Sequence, residues 1–247
     1  MILAFLPALP LMAAAIIPAV VLMILIYRAD KREKEPISLL LSLMLQGIYA
    51  TAFAMVTERF GERLLDSIFS EQTVLYQFFM YFIVVALSEE GFKYLHLYRR
   101  TWNSPAFNYQ FDAIVYAVFV SLGFALWENI GYAAMYGFRT TLVRAVTAIP
   151  GHACDGVFMG VFYGLAKRYD NDNQPQKARL YRRLALLVPL ILHGAYDFIL
   201  SIITPMSNWI FYVFIGVLYL AAFLVTRQIS KHDRNIAANA YTYHFGF

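Results

Sequence analysis

Seven runs of apolar residues recur along this chain, near 3–27, 37–57, 73–97, 110–137, 141–166, 184–204 and 208–226. A helix of about 20 such residues crosses the hydrocarbon core of a bilayer. Within lipid every backbone N–H and C=O has to be satisfied internally, which leaves helices or closed barrels. Unbroken apolar runs, without strict alternation, choose helices. The expected fold is therefore an all-α polytopic membrane protein with about seven transmembrane helices. Composition agrees: 60% of the 247 residues are hydrophobic and 15% charged, against about 25% charged in an ordinary soluble domain. No connection between runs reaches 20 residues, so residues 1–247 read as one membrane domain with a short tail over 230–247. That tail is polar and aromatic, and is expected to be frayed or interfacial.

Orientation follows from the basic residues. Segments 28–36, 98–109, 167–183 and 227–247 hold 15 Lys and Arg, whereas 58–72, 138–140 and 205–207 hold 3. Basic loops stay in the cytoplasm, which places the N-terminus outside and the C-terminus inside. A net charge of +4, scattered over loops, leaves no footprint for nucleic acid. The lone Cys154 excludes an internal disulfide and a Cys-rich zinc cluster. No basic residue precedes the first apolar run, which reads as a retained anchor rather than a cleaved signal.

Charge inside these runs is expensive, about 2.5–3.5 kcal/mol per residue at the bilayer centre on insertion scales. It is confined to helices three to six. Helix three carries Glu89, Glu90 and Lys93, and helix four carries Glu128 and Asn129. Helix five carries His152 and Asp155, and helix six His193 and Asp197. The polar groups can converge inside a four-helix bundle, with helices one, two and seven as lipid-facing support. Glu89 and Lys93 are spaced i,i+4 and share a face; Glu90 lies about 100° around the helix and turns toward another neighbour. His193 and Asp197 also share a face. Arg144, within a turn of its helix end, reads as interfacial, and the charges of 58–72 read as a solvated surface helix. Asn129 divides evenly between interhelical glue and oxyanion donor. Asp155 either supports the site or caps the Gly- and Pro-weakened turn before it.

Such a set can hydrolyse a peptide bond. A carboxylate held away from water acts as a general base, and imidazoles or an amide hold the oxyanion. The same His and carboxylate groups could instead hold zinc or another divalent metal through Glu89, His152 and His193, although no His-Glu-x-x-His motif is present. Two readings from other classes use the same residues: a proton-coupled transporter and a peptide-binding membrane scaffold. The first calls for an internal inverted repeat, which the segregated polar groups do not display.

Glu89-Glu90-x-x-Lys93, Phe124-x-x-x-Glu128, His152-x-x-x-Gly156 and His193-x-x-x-Asp197 resemble, in order, the four intramembrane motifs of the PrsW family, related to CAAX-processing and bacteriocin-immunity proteases. The resemblance covers about residues 73–204. It implies a multipass endopeptidase of the bacterial cytoplasmic membrane acting on a membrane-tethered protein, an anti-sigma factor in the family's best-known case. It further implies Glu89 and Glu90 as the catalytic pair, with Glu128, His152 and His193 supporting. On this reading Glu89, or in the alternative Glu90, activates water, Lys93 sets its charge state, and His193 and His152 bind the carbonyl oxygen. Glu128 and Asp197 orient the histidines. No cofactor is expected, and the oligomeric state is left open.

Depth introduces a conflict. At about 1.5 Å per residue, Glu89 and His193 fall about 12–15 Å from the cytoplasmic ends of their predicted helices. Glu128, His152 and Asp197 fall about 20–25 Å from theirs. The expectation is a polar cavity joining two layers, with hydrolysis at the level of Glu89.

Overall fold

A computed structural model describes residues 8–70, 73–202 and 204–237. Residues 3–7 of the first expected run and 238–247 of the expected tail lie outside the described residues. Among the described residues seven helices succeed one another: α1 (Ala8–Ala29), α2 (Ile37–Ile68), α3 (Val74–Thr101), α4 (Asp112–Val146), α5 (Ala148–Asn171), α6 (Pro175–Ser201) and α7 (Pro205–Lys231). Among the described residues there is no strand, only an isolated bridge between Tyr109 and Asn235. Six helical stretches are long and apolar enough to span a membrane, one of them the 60-residue Asp112–Asn171. That stretch doubles back at Gly137, whose φ of 76° lies in the left-handed region that costs a side-chain-bearing residue most. Gly156 then lies on Val118 and Gly160 on Ile114, so the two arms run antiparallel.

Helix α4 is the axis of the bundle. From Ala113 to Ala125 its residues are buried on every side, as an apolar helix at the centre of a bundle should be. It meets α2 at a pair of glycines. A Cβ on Gly47 would stand 2.0 Å from the Val120 carbonyl oxygen, and one on Gly123 2.1 Å from that of Met44. Small residues permit this backbone approach, the main source of helix attraction in lipid. Exposed Trp209, Val213, Leu220 and Phe223 on α7, with Leu41, Phe53 and Met55 on α2, form the apolar outer surface.

Three boundaries depart from the expectation. Helix α2 runs to Ile68 instead of ending at 57, because buried Leu65 packs with Tyr76 and Val84 of α3. Helix α6 begins at Pro175 instead of 184. Proline suits a first helical turn, whose N–H groups have no partner, and Ala178 and Ala185 face inward while Arg182 stacks over Trp102. Residues 232–237 are pinned rather than frayed: Asp233 accepts from the Phe111 amide at 2.9 Å, and Asn171 donates to the Ile236 carbonyl at 2.9 Å. On the same face burial lifts the Asp30 carboxyl above its ordinary range and pushes that of Glu35 up to about 7.

Candidate active site

Helix α3 changes its winding just before the site. Phe79–Ala86 form π-type turns, which often mark functional positions and shift the register of the succeeding turns. Beyond them Glu89, Glu90 and Lys93 all point inward and are buried. The Lys93 ammonium lies 3.1 Å from Glu89 Oε2 and 2.7 Å from Glu90 Oε1. It also reaches His152 Nδ1 at 3.1 Å and sits 4.1 Å over the Phe124 ring. The two glutamates therefore do not turn to different neighbours, as their angular separation predicted. They differ in depth: Glu90 is fully buried, while Glu89 forms part of the wall of a cavity of about 440 Å³.

Helix α6 supplies the facing imidazole. His193 Nδ1 lies 2.8 Å from Glu90 Oε1. Its Nε2 lies 3.6 Å from Glu89 Oε2 and 3.3 Å from Asp197 Oδ2. Both ring nitrogens thus face carboxylates, and a proton on each is accommodated. Asp155 approaches Nδ1 at 3.7 Å. The remaining oxygens Glu90 Oε2 and Asp155 Oδ1 are buried without a hydrogen-bond partner.

His152 is committed differently. Its Nδ1 accepts from the Lys93 ammonium, so Nε2 carries the proton and donates to Glu128 Oε2 at 3.0 Å. With both nitrogens engaged, no donor remains for a substrate carbonyl. The expectation that His152 shares that role with His193 is corrected accordingly. For Asn129 the structure favours the first of its two readings. Its amide donates to the Ala15 carbonyl of α1 and accepts from Arg144 Nε, so it joins helices instead of holding an oxyanion.

The two layers collapse into one hydrogen-bonded cluster, since Lys93 touches residues assigned to both. The early start of α6 is the main cause. From Pro175, His193 lies about 27 Å along its helix, close to the depth of about 24 Å that Glu128 has from Asp112.

Two residues of the site escaped the sequence reading. Arg144, read as interfacial, pairs with Glu128 Oε2 at 2.9 Å and stacks 3.7 Å over Tyr132. A reversal at Gly137 returns residue 144 to the level of about residue 130, which is the signal that could have found it. Glu58, read as solvated, lines the cavity with Oε1 buried and without a partner. Helices one and two are consequently more than lipid-facing support, since α1 anchors Asn129 and α2 contributes Glu58.

Glu89, Glu90, His152 and His193 each offer a donor atom within 4.8 Å of the others, a group that could hold a metal ion by type and number. As arranged, the fit fails on charge. The Lys93 ammonium already lies against donors from Glu89, Glu90 and His152, and a metal dication beside it would have to displace it.

Residues 35–225 match the family described as PrsW family intramembrane metalloprotease. The chain belongs to the PrsW family. It is 34% identical to the protease PrsW of Bacillus subtilis over 85% of this chain and 90% of that protein. Identity to the protease PrsW of Geobacillus kaustophilus is 31% over 91% and 94%, and to that of Clostridioides difficile 31% over 92% and 94%. No solved structure matches the chain. Membership makes this multipass membrane protein an intramembrane peptidase. Of the residues singled out in the sequence, Glu89, Phe124, Glu128, His152, Asp155, His193 and Asp197 line the cavity.

Proposed function

We propose that this PrsW-family peptidase hydrolyses its substrate with water activated by Glu89. The observation that carries this reading is that Glu89, of the two glutamates, reaches the cavity, with His193 Nε2 across from it at 3.6 Å. A peptide carbonyl in the cavity beside them would receive a hydrogen bond from Nε2–H as negative charge develops on its oxygen. Glu89 takes a proton from water, and the hydroxide bonds to the carbonyl carbon. The same proton then passes to the amide nitrogen as the C–N bond breaks, leaving a carboxyl and an amine. Glu90 and Lys93 hold the histidine and the base in place. Asp197 orients His193, and the Arg144–Glu128 pair fixes His152 behind Lys93.

The substrate on this reading is a membrane-tethered protein, an anti-sigma factor or similar regulator cut as the first step of its release. The enzyme lies in the bacterial cytoplasmic membrane with its N-terminus outside. A metal-dependent reading draws on the donor group around Lys93 and on the family's description. Cleavage of a tethered reporter by Glu89→Gln and Glu90→Gln variants, with and without chelator, tests both. Loss of cleavage in Glu89→Gln with chelator-insensitive wild type is expected. Full activity of both variants would overturn the assignment of the base. Inhibition by chelator, reversed by added zinc, would replace it with the metal mechanism.

A further inference from the structure

A second cluster of acidic side chains lies on the face of the bundle that carries the basic loops, outside the peptidase cavity. Asp30 and Glu35 come from the α1–α2 connection, and Asp112 opens α4. All three are buried, and one oxygen from each lies within 4.8 Å of the other two. Among the described residues no Lys or Arg forms an ion pair with any of them. Lys34, the nearest in sequence, gives its ammonium to the main-chain oxygens of Tyr27 and Asp30 instead.

The way these carboxylates are held is the independent observation. Each aspartate is fixed through one oxygen and bare at the other. Asp112 Oδ2 accepts from the amides of Asn108 and Tyr109 at 3.0 and 2.7 Å, and Asp30 Oδ1 accepts from that of Arg32 at 3.3 Å. Asp112 Oδ1 and Asp30 Oδ2 are buried without any donor. Glu35 Oε2 is aligned by the Tyr116 hydroxyl at 2.6 Å. At the rim, Asn108 Oδ1 and Asp233 Oδ2 are likewise buried and bare, although Asp233 Oδ1 accepts from Phe111. Buried oxygens without donors are rare, and each calls for a ligand, a proton or an ordered water. Two of them, on Asp30 and Asp112, lie within a group of three carboxylates that no Lys or Arg pairs, and they call for positive charge. Every donor is a hard oxygen and none is nitrogen or sulfur, the ligand set of magnesium or calcium rather than of zinc.

We propose that Asp30, Glu35 and Asp112 bind a hard divalent cation, Mg²⁺ or Ca²⁺, which ties the α1–α2 connection to the start of α4. Because Asp112 also accepts from the Asn108 and Tyr109 amides, the same ion would brace the loop before α4. The site is structural. It stands apart from Lys93 and its partners, and does not depend on the mechanism assigned to them.

The test uses the full-length chain in detergent, stripped with EDTA and titrated separately with MgCl₂, CaCl₂ and ZnCl₂. Thermal unfolding and isothermal titration are the readouts. A saturable rise in midpoint and one-to-one binding of Mg²⁺ or Ca²⁺ are expected, and comparison of the two arms identifies the ion. Affinity should fall about tenfold or more in Asp112→Asn, since removing a charged ligand weakens such sites. That variant keeps an acceptor for the Asn108 and Tyr109 amides. Glu35→Gln, which keeps the acceptor for Tyr116, provides a second variant if the first fails to fold. Glu89→Gln should retain the full response, which separates this site from the peptidase cavity. No saturable response to Mg²⁺ or Ca²⁺, or an undiminished one in both cluster variants, would overturn the proposal and leave protons as what balances the cluster.

Discussion

Lys93 donates to His152 Nδ1 across 3.1 Å, and this contact fixes the tautomer of His152. An ammonium has only donors, so Nδ1 is an acceptor and the proton sits on Nε2, where Glu128 takes it. His193, with Nε2 at the cavity between Glu89 and Asp197, is left as the donor.

The two histidines should therefore differ in kinetics. His193→Ala removes the donor for the developing oxyanion and should lower kcat by about 100- to 1,000-fold with little change in KM. His152→Gln, whose amide can still bridge Lys93 and Glu128, should cost about tenfold. Reporter cleavage by purified variants measures both, and equal losses would refute the division of roles.

Lys93 holds the cluster together by charge. Lys93→Met leaves Glu89 and Glu90 buried without their cation, and should destabilise the protein by about 3–5 kcal/mol. Adding Glu90→Gln to that variant should recover part of the loss, because it removes one of the stranded charges. Unfolding midpoints of the two single variants and the double variant form the cycle that checks this.

Arg144 is placed to act on chemistry through Glu128, with which it pairs at 2.9 Å. Arg144→Ala frees the Glu128 carboxylate to move and should reduce kcat about tenfold, whereas Arg144→Lys should preserve most of the activity. An unchanged rate in the alanine variant would make the pair purely structural, which thermal unfolding would then register.

The α2–α4 crossing has no room for a side chain. Gly123→Ala places a Cβ 2.1 Å from the Met44 carbonyl oxygen, and the helices have to separate. Overpacking of this kind costs about 1–3 kcal/mol. Because the shift carries Glu58 away from Glu128, activity should fall along with the unfolding midpoint. A variant of unchanged stability would show that the crossing can relax.

Much of the site was legible because intramembrane charge is costly and so stands out. Glu89, Glu90, Lys93, Glu128, His152 and His193 were visible as polar groups in apolar runs, and the structure brings all six together. Glu58 and Arg144 were not, because each lies near the end of an apolar run, where a charge normally reaches water. Their inward placement depends on α2 continuing past residue 57 and on the chain reversing at Gly137.

The sequence by itself determined the helical class and most of the helices that carry the charge. Lipid imposes those through run length and backbone satisfaction, which are local properties. Only the tertiary structure decided the partners. Whether Glu90 turns away from Glu89 or joins it, whether Asn129 faces the cavity or α1, and which nitrogens of the two histidines meet carboxylates all depend on where α6 begins and how closely α2 meets α4. Those distances arise from packing between segments remote in sequence. A single ammonium, that of Lys93, then settles the hydrogen bonding around it, because it can only donate.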